Sequence, residues 1–217
     1  MAQIFGKGAN LAGKLILLAA AAGIMALVFA AWALPYSQWA THVGFPVRQP
    51  VPFSHQHHVA GLGLDCRFCH STVEASATAG MPPTYTCMTC HSQVWTNAAV
   101  LAPVRQSQAT GQPLHWVRVN DLPDYVYFDH SIHVAKGIGC VTCHGRVDQM
   151  PLTAKHASLR MAWCIDCHRD PTPNLRPPDK IFDMTWRPSA AAPQRDELFA
   201  RYNLHPADLA DCSVCHR

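Results

Sequence analysis

Every cysteine of the chain belongs to one short pattern that occurs five times. In each copy two cysteines stand three positions apart, and a histidine directly follows the second. Two thiols at this spacing can form thioether bonds to the two vinyl groups of one porphyrin, and the adjacent imidazole can bind its iron. The pattern predicts five covalent haem c groups. The attachment residues are Cys66, Cys69, Cys87, Cys90, Cys140, Cys143, Cys164, Cys167, Cys212 and Cys215, and the iron-binding residues are His70, His91, His144, His168 and His216.

Disulfide bridges and structural zinc sites are the other interpretations of paired cysteines. Neither needs a histidine after the second cysteine, and neither does a thioredoxin-like redox pair. Histidine fills only 14 of 217 positions, so composition does not explain five repeats of it at one place. Haem c is attached outside the cytoplasmic membrane in bacteria, so we expect the haem-bearing part to be translocated.

The composition predicts a modest domain with a small side-chain core. Charged residues make up 14% of the chain, against about 25% in an average soluble protein. The formal net charge of +3 is too mild to suggest a nucleic-acid partner. We expect a multihaem c-type cytochrome that is mostly α with little regular secondary structure, in which short helices surround haems that supply much of the apolar core.

An uncharged run of twenty residues, 15–34, follows the N-terminus. As a helix it would span about 30 Å, the thickness of the hydrocarbon core of a bilayer. Lys7 and Lys14 precede it, so we expect residues 1–14 inside and residues 35–217 on the extracytoplasmic, periplasmic face.

A cleaved signal peptide is the alternative, because Ala31-Trp32-Ala33 resembles a cleavage site. The run is longer than a usual signal core, which favours a single-pass anchor in the cytoplasmic membrane. Pro35 is expected to end the helix.

An internal repeat organises the remainder. Phe53, His55 and His58 recur 75 positions later as Phe128, His130 and His133, and each set precedes two haem motifs. The predicted segments are repeat one (53–91), a connector (92–127), repeat two (128–168) and a C-terminal segment for the fifth haem (169–217). We expect strand-like runs at 116–119 and 125–128, and a short helix near Asp196–Tyr202.

Several stretches resemble one family: FSHQHHVAGLGLDCRFCH, MPPTYTCMTCHSQVW, WVRVNDLPDYVYFDHSIHVAKGIGCVTCHGRVDQMP and MAWCIDCHRDP. With the N-terminal run and the closing CSVCHR, the chain is similar to the pentahaem membrane-anchored cytochrome subunit of alternative complex III. Its haem arrangement resembles the cytochrome c7 and c3 family.

The resemblance implies an electron-transfer subunit of a quinol:electron-acceptor oxidoreductase. Electrons would come from iron–sulfur centres of other membrane-complex subunits. They would leave to a monohaem cytochrome c or a blue-copper protein, with the lipid bilayer as anchor.

The c7 and c3 resemblance also implies sixth ligands for four haems. The first histidine of each Phe-x-His-x-x-His turn would bind the haem attached just downstream, and the second would bind the next haem. The implied pairs are His55 with His70, His58 with His91, His130 with His144, and His133 with His168. We expect His57, between two ligands, to face solvent or to form a hydrogen bond.

The fifth haem has several candidate ligands. Repeat two carries eight extra residues before its second motif, and His156 lies among them. The c7 pattern favours such a histidine, whereas the similar sequences keep a methionine ahead of the Trp-Cys pair, here Met161. Met150, His205 and His115 are further alternatives.

We expect outer-sphere electron transfer without bond-making chemistry, because irons with two axial ligands offer no position to a substrate. One rival is a multihaem reductase with an open iron. Another is a stand-alone quinol dehydrogenase of the tetrahaem NapC/NirT type.

Overall fold

The computed structural model describes residues 4–188 and 195–216. Three parts of the predicted segments lie outside the described residues: residues 1–3 of the N-terminal segment, and residues 189–194 and 217 of the C-terminal segment. Contacts divide the chain into two units, Met1–Val43 and Gly44–Arg217.

The first unit is dominated by helix α1, Ala9–Ala33. A 3₁₀ turn follows at Leu34–Tyr36, and the short helix α2 spans Gln38–Thr41. Pro35 lies in the 3₁₀ turn directly after α1, as expected for a residue without an N–H to continue the helix. The segment Ala9–Tyr36 is long and apolar enough to cross a membrane, with a mean hydropathy of 2.5. It is compatible with a membrane anchor.

The second unit consists of short helices joined by long irregular segments. Its described residues contain two isolated bridges, Pro46 with Ala154 and Ile138 with Leu175, and no strand. The helices are a π-helical turn at Gln56–Gly61, α3 (Cys66–Cys69), α4 (Thr84–His91), α5 (Ala102–Thr110), α6 (His130–Ala135), α7 (Cys140–His144), α8 (Met161–Arg169), α9 (Arg195–Tyr202) and α10 (Cys212–Cys215). Single 3₁₀ turns lie at Ala99–Leu101, Val147–Gln149, Thr172–Asn174, Pro178–Lys180 and Pro206–Asp208.

Aspartates set the start of several of these helices. The Asp65 carboxylate accepts from Arg67 N at the start of α3, and Asp211 accepts from Ser213 N at the start of α10. Asp129 caps α6 in the same way. An N-cap carboxylate satisfies backbone N–H groups that have no partner within the helix. One turn of helix is therefore stable enough to present the two cysteines of a motif on one side.

The prediction of strands in the connector is wrong. Val117 N donates to Gln49 Oε1 at 2.9 Å, and Gln49 Nε2 donates to Val117 O at 2.8 Å. The side-chain amide of Gln49 thus takes both backbone groups that a neighbouring strand would have used. The predicted helix near Asp196–Tyr202 is confirmed as α9.

Two small apolar clusters support the second unit. Val51, Leu101 and Val104 form the first, and Trp116 packs against it. The second joins Leu175 to Leu198 and Tyr202 of α9. Among the described residues, both clusters lie beside haem motifs: Cys87 packs against the first and Ile138 against the second.

Candidate functional site: paired imidazoles beside the cysteine motifs

The two Phe-x-His-x-x-His turns have nearly the same geometry. Phe53 stacks on His58 at 4.4 Å between ring centres and meets His55 edge-on at 4.9 Å. Phe128 stacks on His133 at 4.5 Å and meets His130 edge-on at 4.7 Å. One phenyl ring therefore fixes the orientation of two imidazoles in each repeat, which explains why the phenylalanine recurs with the histidines.

Each of these four imidazoles faces the histidine of a cysteine motif across a similar gap. The ring centres are 6.5 Å apart for His55 and His70, 6.2 Å for His58 and His91, 6.3 Å for His130 and His144, and 6.2 Å for His133 and His168. The structure thus brings together the four pairs that the resemblance implied.

The gap suits a metal ion shared by two imidazoles. A ring nitrogen lies about 2 Å from a bound transition metal and roughly 1 Å from its own ring centre, so two rings on one ion lie about 6 Å apart. Within the described residues, no group of three or more His, Cys, Asp or Glu could hold a metal ion. A protein zinc site normally needs three or four such ligands. Two axial imidazoles instead fit a metal that brings four equatorial ligands with it, as iron porphyrin does.

Hydrogen bonds at Nδ1 prepare these histidines to bind through Nε2. A carbonyl oxygen accepts only from the protonated nitrogen, so the other nitrogen keeps its lone pair. Seven histidines have such a carbonyl partner: His58 with Ser54 (2.8 Å), His70 with Gly80 (2.7 Å), His91 with Val94 (3.2 Å), His130 with Ala77 (2.9 Å), His133 with Asp129 (2.7 Å), His168 with Leu209 (2.7 Å) and His216 with Tyr125 (3.2 Å). The two remaining histidines of the four pairs have side-chain partners instead: Thr153 Oγ1 lies 3.0 Å from His55 Nδ1, and Asn120 Nδ2 lies 3.1 Å from His144 Nδ1.

Burial keeps several of these imidazoles uncharged. Desolvation, together with neighbouring imidazoles, lowers the pKa of His55 and of His144 to about 4 each. The pKa of His133 is lowered as well, mainly by burial. A neutral imidazole is the form that binds a metal, so these residues are available as ligands at neutral pH.

The ten cysteines are unpaired in this structure. Burial raises the pKa of Cys140 to about 11 and that of Cys143 to about 12. The nearby Cys66 adds to the rise at Cys140, while Cys167 and Cys164 add to the rise at Cys143. Cysteines of different motifs are therefore neighbours.

Contacts between motifs define the order in which the candidate haem sites adjoin. Sites one and two share the turn that carries His55 and His58, and sites three and four share α6. The Ala77 carbonyl, after the first motif, accepts from both the backbone N (3.2 Å) and Nδ1 (2.9 Å) of His130. His168 bonds to Leu209 near the fifth motif, and Cys215 contributes to the raised pKa of Cys164. The spatial order is thus two, one, three, four, five.

The fifth motif has a different environment. The Tyr125 ring stacks beside His216 at 5.9 Å between ring centres, and the Tyr127 backbone N–H donates to Cys215 O at 2.9 Å. Met161 is 65% exposed and begins α8, the helix whose Cys164 neighbours Cys215.

The other candidate ligands for the fifth haem have neighbours elsewhere. The His156 ring packs over Gly145, directly after the third motif, where an added Cβ would lie 2.5 Å from the Cγ of His156. Met150 O accepts from Gln56 N at 3.1 Å, in the first repeat. His205 Nε2 bonds to Asn203 Oδ1 at 3.1 Å, and His115 is exposed. His57 is exposed and stacks on Trp95 at 6.1 Å.

Sequence reasoning missed the residues that hold Nδ1. Asn120 and Thr153 lie 24 and 98 positions from the histidines that they contact, and the backbone carbonyls leave no trace in a side-chain pattern. Asn120 stands inside the WVRVNDLPD stretch, so its position in a family-like segment was the one available signal.

Short helices that carry paired cysteines, beside paired imidazoles, are the arrangement expected of a multihaem c-type cytochrome, in which haem c is bound covalently. Residues 126–217 match the family model described as cytochrome c7 and related cytochrome c. The chain is also 37% identical over 125 residues to a protein of Nitratidesulfovibrio vulgaris (strain Hildenborough) named menaquinone reductase, multiheme cytochrome c subunit. That alignment covers 56% of this chain and 55% of the relative, so the chain spans about half the length of the curated relative that it matches.

Proposed function

We propose that this chain is the electron-transfer subunit of a membrane quinol:electron-acceptor oxidoreductase of the alternative complex III type, carrying five haems c. The four imidazole pairs, each with ring centres 6.2–6.5 Å apart, carry the proposal. The name of the N. vulgaris relative supports a link to quinone and to further subunits.

In the proposed assignment, the two histidines of each of the four pairs would hold the iron of one haem. When bound, each haem would supply a one-electron ferric/ferrous couple. The chain's residues hold both imidazoles of a pair by Nδ1 hydrogen bonds, so the ligand positions stay the same in both oxidation states. Two fixed ligands also leave no axial position for a substrate, which favours electron transfer over reductase chemistry.

For the fifth haem we assign Met161 as the partner of His216. The support is the 2.7 Å hydrogen bond from His168 of α8 to the Leu209 carbonyl near the fifth motif, together with the electrostatic effect of Cys215 on the pKa of Cys164. A His/Met haem has a higher potential than a bis-histidine haem, so this end of the row would be suited to pass electrons to an acceptor such as a monohaem cytochrome c or a blue-copper protein.

The apolar helix Ala9–Ala33 would anchor the subunit as a single pass, with its N-terminus in the cytoplasm and residues 35–217 on the periplasmic face. Lys7 and Lys14 support this orientation through the positive-inside rule. Within the periplasmic part, repeat one would span residues 53–91, the connector 92–127, repeat two 128–168 and the segment of the fifth haem 169–217.

The test is purification of the full-length chain, with its partners, from membranes of the producing bacterium. We expect a pyridine haemochrome assay to give five haems per chain, the spectrum to be low-spin, and carbon monoxide to leave it unchanged. Quinol should reduce the haems only while iron–sulfur subunits remain bound. A carbon monoxide shift would favour the reductase, and reduction by quinol in the isolated subunit would favour the NapC/NirT type.

A further inference from the structure

The orientation of the Asn120 side-chain amide conflicts with the role of His144 as an iron ligand. Its Oδ1 is buried and has no hydrogen-bond partner among the described residues. Its Nδ2 lies 3.1 Å from His144 Nδ1. An amide nitrogen only donates, so in this orientation His144 Nδ1 would have to accept, and the proton would then sit on Nε2.

That tautomer conflicts with the rest of the site. The seven histidines bonded to carbonyls carry their proton on Nδ1, as described above. The oxygen and nitrogen of an amide have nearly the same shape, and their assignment rests on the hydrogen bonds around them. Rotating the Asn120 amide by half a turn brings Oδ1 to His144 Nδ1. Oδ1 then accepts from His144 Nδ1–H, and Nε2 of His144 keeps its lone pair, while Nδ2 takes the buried position that Oδ1 leaves.

We propose that Asn120 is a positioning residue for His144, the motif histidine of the third haem. Asn120 Oδ1 accepts a hydrogen bond from His144 Nδ1–H and thereby sets the basicity of His144 Nε2. The inference rests on the proposed function, since it needs haem iron on His144. Burial gives the bond weight, because Asn120 Oδ1 is a buried oxygen without a hydrogen-bond partner and an unmet polar group in such a place is costly.

The effect should appear in the ferric/ferrous balance. An acceptor at Nδ1 draws the N–H proton toward it, which makes Nε2 a stronger donor and stabilises ferric iron. Carbonyl partners cannot be removed by substitution, whereas Asn120 can be. Loss of such an outer partner typically changes metal affinity by about 10–100-fold. We expect about a tenfold change in the ferric/ferrous ratio of one haem, which corresponds to about 59 mV for one electron.

The experiment compares two variants of opposite sign in the full-length protein. Asn120→Leu keeps the size and removes the acceptor, so the potential of one haem should rise. Asn120→Asp keeps the shape and strengthens the acceptor, so the potential of the same haem should fall. Asn97→Ala is the control, because Asn97 is exposed. The readouts are haem content, redox titration and low-temperature EPR.

The outcomes separate the two proposals. If the wild type lacks a haem on the third motif, the proposed function fails. If that haem is present and neither Asn120 variant shifts any potential, the positioning role of Asn120 is wrong and the function stands. A shift in the same direction in both variants would indicate altered packing and would also overturn the role. If one Asn120 variant loses haem, the other variant decides: the potential must rise in Asn120→Leu or fall in Asn120→Asp, and any other result overturns the role.

Discussion

The imidazole of His130 faces that of His144 with ring centres 6.3 Å apart and planes only 12° from parallel. In the first repeat, His55 and His70 lie 6.5 Å apart with planes 9° from parallel. The second pair of each repeat differs, because its planes cross at 65° for His58 and His91 and at 38° for His133 and His168. The two repeats therefore share the nearly parallel orientation of the first ligand pair, whereas the ring angle of the second pair differs between them.

These angles predict two classes of low-spin ferric haem in EPR spectra. Parallel axial rings separate the iron d orbitals that overlap with them, which gives a rhombic signal. Crossed rings leave those orbitals nearly equal in energy, which gives a strongly anisotropic signal with a large highest g value. We expect both signals in the oxidised protein, and a spectrum with one rhombic class alone would contradict the assignment of His58 with His91.

Replacing His133 by alanine should leave five haems attached and convert one to the high-spin state. The thioether bonds do not depend on this residue, whereas the iron facing His168 would lose its sixth ligand. The high-spin fraction is measured by the near-infrared and EPR spectra. His57→Ala is the matched control, since His57 sits on the equivalent turn of repeat one and is exposed. An unchanged spectrum for His133→Ala would remove this residue from the ligand set.

Replacing Cys143 by alanine should weaken the attachment of one haem and leave the others intact. The remaining Cys140 can form a single thioether, so we expect a mixture of chains with the full haem complement and chains lacking one haem. Intact mass spectrometry under denaturing conditions distinguishes the two. Loss of every haem would mean instead that the third site is required for the whole unit to assemble.

Replacing Met161 by leucine should make the fifth haem high-spin and lower its potential. Leucine fills a similar volume without a sulfur to bind iron, so the packing of α8 should change little. A redox titration followed in the visible region checks this, with His156→Ala as the comparison variant. If His156→Ala produces the high-spin haem and Met161→Leu does not, the ligand is the histidine.

Cleavage of the N-terminal helix is tested by the mass of the mature chain. If Ala9–Ala33 is an anchor, the purified subunit should retain it and should stay with membranes after alkaline washing. The physical reason is the length of the helix, whose 25 residues are enough to span the hydrocarbon core. A mature chain that starts after Ala33, and that is released by the wash, would identify a signal peptide.

The cysteine motifs and the Phe-x-His-x-x-His turns were predictable because the chemistry that they serve depends on local spacing. His55 and His58 are three positions apart, so they lie on the same face of one helical turn without help from distant residues. The partner of His216 was not predictable, because several methionines and histidines are candidates and none of them adjoins the fifth motif in a repeated pattern. The prediction of strands in the connector was wrong for a related reason. Val117 pairs with the side chain of Gln49, 68 positions away, and an alternating sequence pattern carries no sign of such a partner.

The Ala77 carbonyl has a consequence for how the two repeats depend on each other. It belongs to repeat one, yet it accepts both the backbone and the ring N–H of His130 in repeat two. Repeat two thus depends on repeat one for the alignment of His130, and His55 of repeat one in turn contacts Thr153 of repeat two at 3.0 Å. Separating the two repeats would therefore break hydrogen bonds to the proposed iron ligands on both sides, so a substitution in one repeat is expected to affect a site in the other.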